Sequence, residues 1–133
     1  RIIFTGFVTG QVITELYSNA YIFAIPSNLE GMANALLEAM SYGNCCLISD
    51  IPENTEVVND KAVWHKKGSE SDIYAKLQNW LDHPEIVAKF KSEAAPYILS
   101  RYSWDRVVDQ MLEIYGGNVV EYEEILRRYE QKT

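Results

Sequence analysis

Two patterns of hydrophobic positions alternate along the first half of the chain. Unbroken apolar runs occur at residues 2–4 (Ile-Ile-Phe), 20–25 (Ala-Tyr-Ile-Phe-Ala-Ile), 45–49 (Cys-Cys-Leu-Ile-Ser) and 62–65 (Ala-Val-Trp-His). Runs of this kind predict strands covered on both faces, because a half-exposed strand would alternate apolar with polar. Between them, apolar residues recur at helical spacing. A helix over 11–18 is expected to turn Val12 and Leu16, with Ile13 and Tyr17, toward the core, with Thr9 as its cap. A second helix over 33–42 carries a stripe of Leu36, Ala39 and Met40 and stops at Gly43. Residues 50–54 read as a loop and 55–59 as a short helical turn.

From Ser69 onward the pattern is helical throughout. Helices are predicted over 71–81, with Ile73, Leu77, Trp80 and Leu81 apolar, and over 84–100, where Pro84 and Glu85 form a favourable start. Pro96 is expected to bend or split the latter. Ser103 should cap a helix over 104–115 with Val107, Val108, Met111, Leu112 and Tyr115 inward. Gly116-Gly117 should break it before a last charged helix over 119–131. The order is β-α-β-α-β-α-β followed by helices, which implies an α/β, Rossmann-like parallel sheet with flanking helices and right-handed crossovers. Ligands on such sheets bind beyond the carboxyl ends of the strands. Residues 5–8, 26–31 and 50–54 lie at three such ends and are expected to converge on one crevice.

The stretch 26–43, P-S-N-L-E-G-M-A-N-A-L-L-E-A-M-S-Y-G, carries most of the candidate chemistry. It runs from a strand end through a loop into a helix. It places Glu30 in the loop and Glu38 in the helix, where Glu38 lies off the Leu36/Met40 stripe and points away from the core. The amides of Ala33, Asn34 and Ala35 should be largely free at the helix start, and small side chains at 33 and 35 let a phosphate approach the backbone. The two carboxylates suit sugar or ribose hydroxyls. Neither G-x-G-x-x-G nor G-x-x-x-x-G-K-[ST] is present, so neither the dinucleotide fingerprint nor the P-loop applies. His65 and His83 read as surface or capping residues rather than ligands or bases. Cys45 and Cys46 are adjacent, so as strand residues they face opposite ways and read as small buried thiols in a reducing compartment.

Composition narrows the classes. A chain of 133 residues, 47% hydrophobic, can build one globular core. A formal net charge of −7 argues against nucleic acid as a partner and against docking of this segment on anionic lipid. No run approaches the roughly 20 apolar residues of a membrane-spanning helix. The chain starts Arg-Ile-Ile-Phe, inside a strand-like run, which reads as the C-terminal piece of a longer protein.

With these residues in place, the chain resembles the C-terminal nucleotide-sugar-binding domain of the retaining, GT-B-fold glycosyltransferases of family 4, the group 1 glycosyltransferases. The resemblance rests on Phe4-Thr5-Gly6-Phe7-Val8, Leu16-Tyr17-Ser18-Asn19-Ala20, Pro26-Ser27, Glu30-Gly31, Leu37-Glu38-Ala39-Met40 with Gly43, Ser49-Asp50-Ile51-Pro52-Glu53-Asn54 with Glu56-Val57, and Tyr102-Ser103-Trp104. Glu30 and Glu38 match the family's E-x7-E motif. The match covers about residues 1–115 and is specific because many short segments occur in the right order. It divides the chain into an incomplete Rossmann-like domain over 1–117 and a helix over 118–133 that docks on the missing part of the enzyme.

The resemblance also implies roles. Glu38 would hydrogen-bond the ribose hydroxyls, and Glu30, the catalytic candidate, would lie beside the donor sugar. The backbone of Gly31, Met32, Ala33, Asn34 and Ala35 would hold the sugar and diphosphate, and Val8 would lie near the base. The implied reaction is retaining transfer from a UDP- or GDP-sugar to a glycan, glycolipid or polysaccharide, with no metal and no cofactor. The acceptor would bind mainly on the missing N-terminal domain. The enzyme would be cytoplasmic, peripheral to the membrane through that domain, and the isolated chain inactive. Two departures stand out: Ala33 where the family often has Gly, and Glu53 where Gly is common. The rival readings are a sugar-nucleotide epimerase of similar architecture and a non-catalytic nucleotide-sugar-binding module.

Overall fold

The computed structural model describes residues 1–115. Residues Arg1–Arg101 form one compact unit, and a second begins at Tyr102. The first contains α1 (Gln11–Asn19), β1 (Phe23–Ile25), α2 (Asn34–Ser41), β2 (Cys46–Ser49), α3 (Pro52–Val58), β3 (Val63–His65), α4 (Glu70–Asp82) and α5 (Pro84–Arg101); the second contains α6 (Trp104–Tyr115). The expected break at Gly116-Gly117, the helix over 119–131 and the docking segment 118–133 lie outside the described residues.

The sheet is parallel, in the order β1-β2-β3. Phe23 pairs with Cys46 and Ile25 with Ile48; Leu47 pairs with Val63 and Ser49 with His65. All four residues of the central strand are buried, as its unbroken apolar run requires. Successive side chains alternate between its faces. On one face Cys45 and Leu47 join Trp80 and Val87, with Ile73, Leu77 and Phe90 packed around them, so α4 and α5 cover that side. The alternation sends Cys46 and Ile48 the other way, and α2 and α3 also contact β2. The stripe expected on α2 is fully buried at Leu36, Ala39 and Met40.

α5 ties the unit together. Lys91 Nζ donates to the Ala20 carbonyl at 2.7 Å, just before β1, and Tyr97 hydroxyl donates to the Val57 carbonyl at 3.3 Å in α3. Pro96 does not split this helix, which runs unbroken from Pro84 to Arg101. Proline removes the hydrogen bond to the carbonyl four residues back. That residue, Ser92, and Pro96 itself are both exposed, so water can take over the lost bond.

The turn from α2 into β2 is made by two residues. Gly43 adopts φ 74°, a conformation that a Cβ opposes. Its N–H donates to Met40 O at 2.9 Å, and the N–H of Asn44 donates to Ala39 O at 3.1 Å, closing the last turn of α2 in the reverse-turn pattern that ends many helices. The Asn44 side chain is buried, and its Nδ2 donates to Ala39 O at 3.0 Å and to Tyr17 O at 2.9 Å. One amide group thereby joins the end of α1 to the end of α2.

Several expectations are corrected. Residues 2–4 form no strand; Ile2 and Phe4 are 84% and 94% exposed. An apolar run becomes a buried strand only where neighbours cover it, and nothing in this unit does so. In α1, Ile13 and the buried Tyr17, one helical turn apart, face inward as expected, but Val12 and Leu16 are exposed (54% and 47%). Thr9 does not cap α1; the N-cap is Gly10 and carries no side-chain bond. α3 starts earlier than expected, with Pro52 in its first turn, a position that suits a residue without an N–H. In the second unit Ser103 does cap α6, accepting from the Arg106 N–H at 3.2 Å. Val107, Val108, Met111, Leu112 and Tyr115 are nevertheless exposed, since an amphipathic stripe shows what a helix can bury rather than what it does bury.

His65 is also corrected. It is buried at 2% exposure, because it ends β3 beside the buried Ser49. Its Nδ1 lies 3.0 Å from the Lys66 carbonyl, which can only accept, so Nδ1 carries the proton and Nε2 is left without a partner. His83 fits its expectation as an exposed residue at the α4–α5 joint, beside Glu85 at 3.3 Å.

Two predictions follow from the packing. Asn44→Ala removes both Nδ2 bonds and leaves buried carbonyls under-satisfied, so it should lower unfolding free energy by about 1–3 kcal/mol in denaturant titration; an unchanged midpoint would contradict the clamp. The second concerns the two free, buried cysteines. Burial pushes the Cys45 thiol from 9.0 up to about 12 and raises that of Cys46 as well. Below pH about 9 the thiols are protonated in both folded and unfolded chains. Above it only the unfolded chain loses these protons readily, so their contribution to stability should decline from pH about 9 toward 12. Replacing both with alanine should flatten that decline, which pH-dependent thermal melts would measure.

Candidate functional site

The parallel sheet sets where a site can form. The loop after β1 and the loop after β2 leave the carboxyl ends of neighbouring strands and lie side by side. Residues 50–54 and 26–31 are therefore brought together as expected. Residues 5–8 do not follow a strand, since none forms at 2–4, and among the described residues no hydrogen bond links them to 26–41. Val8 is half-buried in that segment, between Gly6 and Gly10.

The loop after β1, Pro26-Ser27-Asn28-Leu29-Glu30, is mostly exposed, Leu29 included. Glu30 is half-buried, and its Oε1 accepts a hydrogen bond of 2.5 Å from Ser27 Oγ. Ser27 stands three residues earlier, so the loop folds back on itself and holds this carboxylate over the strand end. Gly31 and Met32 are exposed, and a Cβ built on Gly31 would meet open space. Ala33 is the N-cap of α2 and has no side-chain oxygen to offer the first turn, so no side chain caps the helix. Of the three amides expected to be free, that of Asn34 is engaged, donating to Met32 O at 2.9 Å. Those of Ala33 and Ala35 have no acceptor among the described residues. The Ala33 side chain is buried and that of Ala35 is exposed.

Glu38 sits one turn into α2 and is exposed, while its neighbours Leu36 and Ala39 are buried. Its Oε2 accepts from the Tyr17 hydroxyl at 3.3 Å. Burial, with the charge and hydrogen bond of Glu38, raises the pKa of that hydroxyl, so it remains a donor. Oε1 of Glu38 has no donor among the described residues. The two carboxylates are thus each held by one hydroxyl and each retains acceptor capacity.

The adjoining loops are fixed by further carboxylates. Asp50, just after β2, accepts from the Lys67 N–H at 2.7 Å, and Asp72 accepts from the Lys66 N–H at 2.6 Å. The Lys66 bond, helped by Lys76, lowers the Asp72 pKa. Asn54, inside α3, is fully buried and donates to Ser49 Oγ at 3.1 Å, anchoring α3 beneath the strand ends. The sequence pattern gives Tyr17 a place in the core but none at the site, and gives no role to Ser27 or Asn54. Ser27 could have been found, since a serine three residues before a glutamate in a tight loop can reach it. Tyr17 could not, because it meets Glu38 across 21 residues of chain. No helix among the described residues is long and apolar enough to cross a membrane.

Comparison with known proteins places the chain in a family. Similar in sequence are an uncharacterized glycosyltransferase of Methanocaldococcus jannaschii, 26% identical over 86% of this chain and 30% of its own length, and the O-antigen chain mannosyltransferase RfbU of Salmonella typhimurium, 28% identical over 73% of this chain and 28% of its own. The chain therefore spans less than a third of the length of these relatives. Among solved structures, sucrose-phosphate synthase from Thermosynechococcus elongatus superposes with a TM-score of 0.79 at 19% identity, over 86% of this chain and 29% of that one. The fold is accordingly a parallel three-stranded sheet flanked by helices, of the GT-B type. The model of the family described as glycosyl transferases group 1 matches residues 1–96, and the chain belongs to that family.

Proposed function

We propose that this chain is the donor-binding part, on the C-terminal side, of a retaining glycosyltransferase that moves a sugar from a UDP- or GDP-sugar to a glycan, glycolipid or polysaccharide. The observation that carries the reading is the placement of Glu38 in a chain of this family: an exposed carboxylate on α2 with one oxygen held by Tyr17 and the other free. A carboxylate with an open oxygen suits a vicinal diol, so Glu38 takes the ribose hydroxyls. Glu30, fixed by Ser27 at the end of β1, lies beside the donor sugar. Gly31, Met32, Ala33, Asn34 and Ala35 form the wall for sugar and diphosphate, with the Ala33 and Ala35 amides as donors. Val8 is on the base side. The polysaccharide acceptor class is in keeping with the O-antigen mannosyltransferase relative.

Bond breaking between the sugar and the diphosphate builds negative charge on the leaving group. Backbone donors aimed at it stabilise that charge without reorganisation. In this reading no metal and no cofactor take part; cations outside this chain face the diphosphate, and the acceptor binds on the N-terminal domain of the complete enzyme. Acceptor and leaving group share one face of an oxocarbenium-like sugar. The protein works on the cytoplasmic side, with membrane association supplied by that other domain.

A pair of substitutions in the complete enzyme separates the two roles. Glu38→Gln should weaken nucleoside diphosphate binding about tenfold, the loss of a hydrogen bond to a charged group. Glu30→Gln should leave that affinity within about twofold and lower kcat by about 10²-fold, the scale of a lost stabilising contact at the reacting centre. Titration calorimetry and initial rates read both. Unchanged affinity in the first variant, or an unchanged turnover number in the second, removes the corresponding assignment.

A further inference from the structure

Tyr17 makes three kinds of contact at once. Its ring is stacked against Tyr42, with centroids 5.5 Å apart and planes at 23°, and is tilted against Phe23 at 5.9 Å. Its carbonyl accepts from the buried Asn44 side chain at 2.9 Å. Its hydroxyl reaches Oε2 of Glu38 at 3.3 Å. The ring and backbone contacts hold the residue rigidly in the fold. The hydroxyl has only one partner, and that partner is an exposed carboxylate at the candidate site.

A glutamate on a helix surface ordinarily samples several rotamers, and ordering it costs free energy when a ligand binds. Occupying one oxygen with a fixed donor restricts the carboxylate and leaves the second oxygen turned outward. From this geometry we propose that Tyr17 is a positioning residue, whose hydroxyl pre-orients the Glu38 carboxylate for the two ribose hydroxyls of the donor nucleotide. The inference rests on the ribose role given to Glu38 above. Tyr17 itself touches no part of the donor; it acts through Glu38. Burial supports the assignment, because it keeps the hydroxyl protonated and donating over the whole physiological range.

The test measures binding rather than turnover. UDP and GDP are titrated into the complete enzyme, and the tighter of the two is compared with its 2′,3′-dideoxy analogue, which lacks both ribose hydroxyls. Tyr17→Phe keeps the ring, and with it the Tyr42 and Phe23 packing, and removes only the hydroxyl. It should weaken the ribonucleotide about three- to tenfold while leaving the dideoxy analogue within about twofold, the range of one hydrogen bond. In a Glu38→Ala background, which removes the acceptor that Gln would keep, the same change should have no further effect on either ligand, a coupling that a double-mutant cycle reads directly. Equal loss for both ligands, or the same loss with Ala at position 38, would overturn the proposal and leave Tyr17 as a packing residue. If Glu38→Gln alone leaves the preference for the ribonucleotide unchanged, the ribose role of Glu38 fails first and the positioning role fails with it.

Discussion

The buried side chain of Asn44 is the constraint on which the site depends. Its two donated bonds, to Tyr17 O and Ala39 O, lock the end of α1 to the end of α2 at the point where the chain turns into the central strand. Gly43 makes that turn possible through its left-handed backbone, and Lys91 O lies 3.4 Å from where its Cβ would be, so α5 closes over the same place. With the two helix ends locked, Tyr17 cannot drift from Glu38. The Asn44 side chain thus fixes the Tyr17–Glu38 pair through two backbone carbonyls, one of Tyr17 itself and one of Ala39, the residue after Glu38. The cost is one buried oxygen, Oδ1 of Asn44, left without a partner, which the two donated bonds and the surrounding packing outweigh.

Seen from that clamp, the two carboxylates differ in kind. Glu30 is tethered locally, by a serine of its own loop, and so is placed by the shape of that loop. Glu38 is tethered at long range, by a tyrosine from another helix, and so is placed by tertiary packing. In the proposed reading, the loop-mounted Glu30 follows the sugar through bond breaking and the helix-mounted Glu38 holds the unchanging ribose. Between them the start of α2 lacks a side-chain cap, which leaves backbone donors for an anion at a modest cost in helix stability.

Much of this was legible in the residues, and the parts that were not share a cause. The central strand, the Gly43 stop and the Ser103 cap each announce themselves within a few residues, through local periodicity or backbone chemistry. The burial of His65, the exposure of Val12 and Leu16 on α1 and the Tyr17–Glu38 bond all depend on which distant element lies opposite. Hydrophobic pattern overstated order at residues 2–4, where an apolar run has no cover, and in α6, where the stripe is present but exposed. α5 runs unbroken through Pro96, whose freed carbonyl, on the exposed Ser92, can bond to water.

The central claim is that the open face beside α2 is a nucleotide site organised around ribose. Saturation-transfer-difference NMR of the complete enzyme with UDP and GDP tests it most directly, because it reports which protons of the ligand lie closest to the protein. The account predicts strong transfer to the ribose H2′ and H3′ of the nucleotide that binds, lost from those protons in the Glu38→Gln variant. Transfer that spares the ribose, or a ribose signal indifferent to Glu38, would contradict it.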